Sequence, residues 1–110
     1  MKAYYALGRL KVGAMNKTEA GYGQQLELLK RAGEVLWYRF EGIKLRLADN
    51  TFLTVDFAVM RSDGVLEMHE VKGFMEDDAN VKLKVAAASY PFLFKLIRKG
   101  KGGTWTTTEI

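Results

Sequence analysis

Asp56 interrupts the apolar run Phe52 to Met60, and Glu70 and Lys72 stand two apart in the strand-like stretch Val65 to Lys72. A carboxylate among Leu53, Val55, Phe57, Ala58 and Val59 costs several kcal/mol if it is buried without a partner, so it needs a charge or a cation nearby. Residues two apart on a strand leave the same face, so Glu70 and Lys72 travel together. Two carboxylates on neighbouring strands about 5 Å apart suit one hard divalent ion, with water and a substrate phosphate completing its shell. A lysine beside them can hold or help deprotonate an attacking water, or offset charge growing on a phosphate. The chemistry to which this set answers is phosphodiester hydrolysis.

The elements that must deliver these side chains are readable. Asn16-Lys17-Thr18-Glu19 has capping-box form, and a helix from about Lys17 to Arg31 follows, ended by Gly33. Glu19 falls at helical spacing with Tyr22, Leu26 and Leu29, so it shares the face that packs inward. It completes the cap, adds a ligand or water-positioning group at the metal, or does both. Val35 to Phe40 reads as a strand, Ile43, Leu45 and Leu47 alternate with polar or small residues, and Asp49-Asn50 is a turn. Phe52 to Met60 reads as one strand, Ser62-Asp63-Gly64 as a hairpin turn, and Val65 to Lys72 as the next strand. Pairing about that turn sets Asp56 level with Glu70. Glu76-Asp77-Asp78 suits a helix start, and a helix from about Asp78 to Ser89 stops before Pro91. Phe92 to Ile97 and Thr104 to Thr108 are strands around the loop 100–103, whereas 1–15 read as irregular. The order α-β-β-β-β-α-β-β is a mixed α/β domain.

Length and composition set the frame. One hundred and ten residues fit a single domain, 1–110, and 48% hydrophobic with 27% charged residues is ordinary for a globular core. With no cysteine, disulfides and thiolate metal sites are excluded. Any metal must use oxygen ligands or the single imidazole, His69. The start Met1-Lys2-Ala3-Tyr4-Tyr5 lacks a long apolar segment, and no stretch approaches the roughly 20 apolar residues of a membrane span, so a soluble cytoplasmic protein is expected. The net charge of +4 is unevenly spread, with Lys2, Arg9, Lys11 and Lys17 near the start and Lys95, Arg98, Lys99 and Lys101 near the end. Basic ends around an acidic middle suit an enzyme that draws in phosphates and holds a cation to work on them.

Val55-Asp56, then thirteen residues, then Glu70-Val71-Lys72 resembles the PD-(D/E)xK signature of the restriction-endonuclease-like nucleases. The stretch Glu70 to Phe74, with Lys82-Leu83-Lys84 and Tyr90-Pro91, is similar more narrowly to small phage-encoded nuclease-like proteins, and relatives at superfamily level are Holliday-junction resolvases. The resemblance covers most of the chain. It departs at Val55, which stands where the signature has proline. It implies an α-β-β-β-α-β core from Lys17 to Ile97, with a mixed sheet flanked by helices. It also implies Asp56, Glu70 and Lys72 as catalytic residues, with Glu19 as the extra upstream acid, and Asp56, Glu70 and Glu19 as ligands of Mg²⁺ (or Mn²⁺ in its place). Cleavage of duplex or branched DNA by a homodimer, in a bacterial host cell if the protein is phage-encoded, completes what the likeness implies. Lys17, Lys82, Lys84, Lys99 and Lys101 are the expected contacts to DNA phosphates.

Other motifs carry less. His69 points to the sheet face opposite Glu70 and is read as a packed, hydrogen-bonded histidine. Gly100-Lys101-Gly102-Gly103-Thr104 lacks the upstream glycine and following helix of a phosphate-binding loop. Gly21-Tyr22-Gly23 lies inside a helix and is no dinucleotide fingerprint. Gly73 either admits a substrate backbone or ends the strand. Tyr4, Tyr5, Trp37, Tyr38 and Trp105 are read as core or subunit-contact aromatics. Two rival readings keep the fold without the cutting: a nucleic-acid-binding module that does not cleave, and a phage–host interaction protein whose basic ends meet an acidic partner.

Overall fold

The structure, a computed structural model, describes residues 5–6, 9–10, 14–74 and 80–110. Near the start, where irregular chain was expected, β1 (Tyr5–Ala6) and β2 (Arg9–Leu10) form an antiparallel pair, too short to show any periodicity in the sequence. Helix α1 (Lys17–Arg31) carries the full capping box: Glu19 N–H donates to Asn16 Oδ1 at 2.8 Å, and Asn16 N–H donates to Glu19 Oε1 at 2.9 Å. Two of the helix's otherwise unpaired amides are thereby served. Gly33 turns the chain out of the helix at φ +84°, in the left-handed region where a side chain is strained.

The main sheet has five strands in the order β3-β6-β7-β8-β9: β3 Val35–Phe40, β6 Phe57–Arg61, β7 Leu66–Lys72, β8 Leu93–Lys99 and β9 Trp105–Glu109. Only β7 and β8 are parallel, joined through α2 (Val81–Ser89), and the other pairings are antiparallel. Among the described residues a mixed α/β sheet with two α-helices is thus observed. The acids Glu76, Asp77 and Asp78, expected to open α2, lie outside the described residues. The described helix is capped by Asn80, whose Oδ1 accepts from Leu83 N–H at 3.0 Å.

Between β3 and β6 stands a separate hairpin, β4 (Lys44–Ala48) with β5 (Thr51–Thr54), turning at Asp49-Asn50 as expected. The expectation of one strand over Phe52 to Met60 is corrected here. The run breaks at Val55-Asp56, so that β5 pairs with β4 while β6 joins the main sheet. Competing partners cause the break: Val55 N–H donates to Ile43 O in the hairpin, and Asp56 O accepts from Glu41 N–H. Only Asp56 brings a charge into the apolar run, and one charged residue does not signal a change of sheet.

Strand alternation sorts two cores onto the two faces. Phe57, Val59, Val71 and Ile97 pack against Tyr22 and Leu26 of α1. Ala58, Met68, Phe94 and Leu96 pack against Leu83 and Ala86 of α2 and against Leu45 and Leu53 of the hairpin. Phe57, Phe94, Leu26 and Met68 are the largest wholly buried side chains, and truncating any of them to alanine costs about 2–5 kcal/mol. The sheet that carries the charged residues is therefore fixed from both sides.

Candidate metal centre

The β6–β7 register pairs Phe57 with His69 and Ala58 with Met68. One step further, Asp56 stands level with Glu70, as the short Ser62-Asp63-Gly64 turn predicts. By alternation Asp56, Glu70 and Lys72 share the α2 face with Ala58 and Met68. The two carboxyl groups lie within hydrogen-bonding reach of each other. Asp56 Oδ2 accepts from Val71 N–H at 2.9 Å. Glu70 Oε2 accepts from Asn80 Nδ2 at 3.1 Å and lies 3.8 Å from Lys72 Nζ. The side chains of Glu70 and Lys72 are only 13% and 17% exposed.

Charge is crowded in this recess. Burial, and then the charge of Glu70, push the Asp56 carboxyl up to about 7. Burial raises Glu70 as well, with the charge of Glu19 adding to it against the pull of Lys72 and Asn80. Two desolvated carboxyl groups facing each other beside one lysine hold a proton between them near neutrality. A divalent cation would relieve the same repulsion. The oxygen donor set fits Mg²⁺, which takes one or two carboxylates and leaves the remaining positions to water and phosphate.

Glu19 completes the helix cap, the first of the two parts expected of it. Its carboxylate accepts from the Asn16 amide in the capping box, and its charge is felt at Glu70. Among the described residues no three carboxylate or imidazole groups come together to hold a metal. The expected phosphate contacts are all exposed. Lys17 opens α1, Lys82 and Lys84 lie in the first turns of α2, Lys99 ends β8, and Lys101 lies in the turn Lys101–Gly103. Lys82, Lys84, Lys99 and Lys101 belong to the end of the sheet at which β7 and β8 finish and α2 begins, the end that carries Glu70 and Lys72.

Several polar residues escaped the sequence reading. Asn80, whose helix-capping type was visible, ties the start of α2 to Glu70. On the opposite face His69 is buried, as expected, and accepts or donates at Nδ1 with Tyr22 Oη (2.8 Å) and at Nε2 with Glu67 Oε1 (2.8 Å). Glu67, 3% exposed, is also reached by Lys95 Nζ at 2.9 Å and Arg61 Nη1 at 3.2 Å. These groups line a cleft of about 250 Å³ between α1 and the sheet, away from the Asp56–Glu70 pair. The signal for Glu67 was its two-residue spacing from His69; its partner Lys95 lies across the α2 crossover, where local spacing says nothing.

No protein-family model matches the chain, and no curated protein or solved structure is significantly similar to it. Among the described residues, no helix is long and apolar enough to cross a membrane.

Proposed function

We propose that the chain is a Mg²⁺-dependent endonuclease of the restriction-endonuclease-like type, hydrolysing phosphodiester bonds in duplex or branched DNA. The observation that carries this reading is the meeting of Asp56, Glu70 and Lys72 on one sheet face, with both carboxyl groups raised in pKa by burial. The topology supports it as well. Reading α1, β3, β6, β7, α2 and β8 in order gives α-β-β-β-α-β, an antiparallel meander followed by a parallel crossover strand, with the β4–β5 hairpin inserted after the first strand.

In this reading Asp56 and Glu70 hold the cation, which when bound supplies the positive charge that phosphodiester hydrolysis requires. The Val71 amide and the Asn80 side chain fix the two carboxylates. Lys72 holds and orients the attacking water and offsets charge accumulating on the phosphate. Shape and phosphate contacts govern the choice of substrate, and a homodimer cutting two strands of a junction is the form proposed for branched DNA.

The test is cleavage of four-way junction, duplex and single-stranded DNA in magnesium, by the parent chain and by Asp56→Asn. Cutting lost in the variant with DNA binding retained supports the enzyme. A second reading, a nucleic-acid-binding module that does not cut, is favoured by the exposed Lys82, Lys84, Lys99 and Lys101 at the end of the sheet that carries Glu70 and Lys72. Parent protein that binds DNA at low salt but cuts none of these substrates in magnesium or manganese would establish that reading instead.

A further inference from the structure

Beyond the residues already placed at the site, we propose that the outer face of the β4–β5 hairpin binds single-stranded DNA, with Phe52 stacking on a base and Lys44 and Arg46 holding the phosphates beside it. The inference rests on the nucleic-acid reading above and deepens it, by naming an unpaired strand as the form of substrate. Alternation divides the hairpin into two faces. Leu45 and Leu53 are buried in the core that includes α2, whereas Lys44, Arg46, Phe52 and Thr54 alternate with them and are exposed. In the register Arg46 is the direct partner of Phe52, and Lys44 that of Thr54. The open face therefore carries one aromatic ring beside two cations, the combination that stacks a base and holds its flanking phosphates. The single acid of the segment 44–54 is Asp49, at the turn.

The face is held in place before any strand arrives. Lys44 Nζ lies 4.5 Å from the centre of the Phe52 ring, a cation–π contact that keeps the ring on the ribbon. Phe52 is nevertheless 38% exposed. Tyr90 Oη donates to Arg46 O and so ties β4 to the end of α2. Arg46 Nη2 has Asp49 Oδ1 as a neighbour at 3.6 Å, with the two side chains 63% and 91% exposed. An ion pair so open to water is worth little, so a phosphate can take the guanidinium while Asp49 returns to solvent. The bases of a single strand are free to stack on a side chain, whereas those of a duplex are stacked on one another. Position favours the same occupant. Thr54 stands two residues before Asp56, about 7 Å along an extended chain. A strand leaving the recess of Asp56 and Glu70 meets the base of the ribbon at Thr54 and Lys44, then Phe52 and Arg46 toward the tip.

The experiment compares the full parent chain with Phe52→Leu, which keeps an apolar side chain but removes the ring, with Phe52→Trp, and with Lys44→Gln and Arg46→Gln made together. Affinity for a labelled oligothymidylate and for a labelled duplex of equal length is measured in chelator from about 50 to 200 mM KCl, and cleavage is followed in magnesium. The expected result for Phe52→Leu is roughly tenfold weaker binding of the oligothymidylate at the parental salt slope, with duplex affinity unchanged. The double change flattens the slope of log K against log salt by about 1.4, two contacts at about 0.7 each for a single strand. Phe52→Trp binds at least as tightly as the parent, and its added fluorescence is quenched by the oligothymidylate. Parental affinity for the oligothymidylate in Phe52→Leu overturns the proposal, as does an equal loss for oligothymidylate and duplex. Polyglutamate that displaces the oligothymidylate equally from the parent and from Phe52→Leu overturns it too, and leaves the ribbon a plain cationic patch. Should Phe52→Leu melt below the assay temperature, Phe52→Trp decides: quenching supports the stack and unquenched fluorescence overturns it. The two readings fail separately. Single-strand binding that depends on Phe52 without any cleavage keeps the ribbon's role and removes the nuclease, whereas cleavage indifferent to Phe52 does the reverse.

Discussion

The amide of Val71 donates to the carboxylate of Asp56 at 2.9 Å, in place of a backbone carbonyl. Hydrogen-bonded pairs alternate along an antiparallel ladder. With Glu41 bonding to Asp56 on the β3 side, the β7 side falls to Phe57 and, two residues back, to Val55. The carbonyl of Val55 would have served Val71 had β6 continued. Because the chain leaves for the hairpin instead, the Asp56 side chain closes the ladder. The break in the strand and the placing of the carboxylate are a single event.

Asp56→Asn should abolish cleavage while stabilising the metal-free protein. The asparagine oxygen can still accept from Val71, and the repulsion with Glu70 is gone. Asp56 titrates at about 7 in the fold against 3.8 ordinarily, so between those values the folded state binds a proton that the unfolded chain lacks. Its contribution is therefore fully favourable below pH 3.8 and is lost as pH rises through 7. Thermal melts in chelator should show a gain of about 1–3 kcal/mol at pH 8 and little at pH 4. An equal change at both values would show that the carboxyl is not raised.

Glu67 should govern the acid limb of stability. Burial alone would raise its carboxyl, but hydrogen bonds from His69 and Lys95, together with their charge, hold it down at about 2. That stabilisation is present above the ordinary value of 4.5 and is lost as pH falls toward 2. Glu67→Gln should lose about 3 kcal/mol at pH 7 and unfold with a flatter pH dependence between 4.5 and 2, read by denaturant titration. A parental slope in the variant would assign acid unfolding to other groups.

Asn80 serves two partners, and two substitutions separate them. Asn80→Ala should cost about 1 kcal/mol through the lost α2 cap and should also reduce cleavage through the loosened Glu70. Asn80→Ser keeps a capping oxygen but is too short to reach Glu70, so stability returns while activity stays low. Activity and stability recovering together would mean that the tie to Glu70 is incidental.

Gly21→Ala should stabilise the protein by about 0.5–1 kcal/mol, because alanine removes the entropy cost of glycine within a helix. A β-carbon there would meet the Trp105 ring at 3.5 Å, an ordinary van der Waals contact. A lowered melting temperature would show that the packing of α1 on Trp105 tolerates no added methyl.

Much of this site is local, and what is local could be read. The Asn16–Glu19 cap, the shared face of Glu70 and Lys72, the opposite face for His69, and Asp56 level with Glu70 all follow from spacings of two to four residues or from one tight turn. The rest depends on tertiary choices. Nothing within Phe52 to Met60 distinguishes a straight strand from one that changes sheets at Val55. Lys95 meets Glu67, and Arg98 meets Lys72, only because β8 returns parallel to β7 after α2. Two-residue pairing such as Tyr5–Ala6 with Arg9–Leu10 is shorter than any period.

The β4–β5 hairpin hydrogen-bonds as its own two-stranded ribbon, and its exposed tip at Asp49-Asn50 is at the opposite end of the ribbon from the Val55-Asp56 break. Residues added at that tip would lengthen an appendage without shifting the register of β6 on β7. The ribbon is thus a natural grafting point, where a further binding segment can be joined while the Asp56–Glu70 pair stays unchanged.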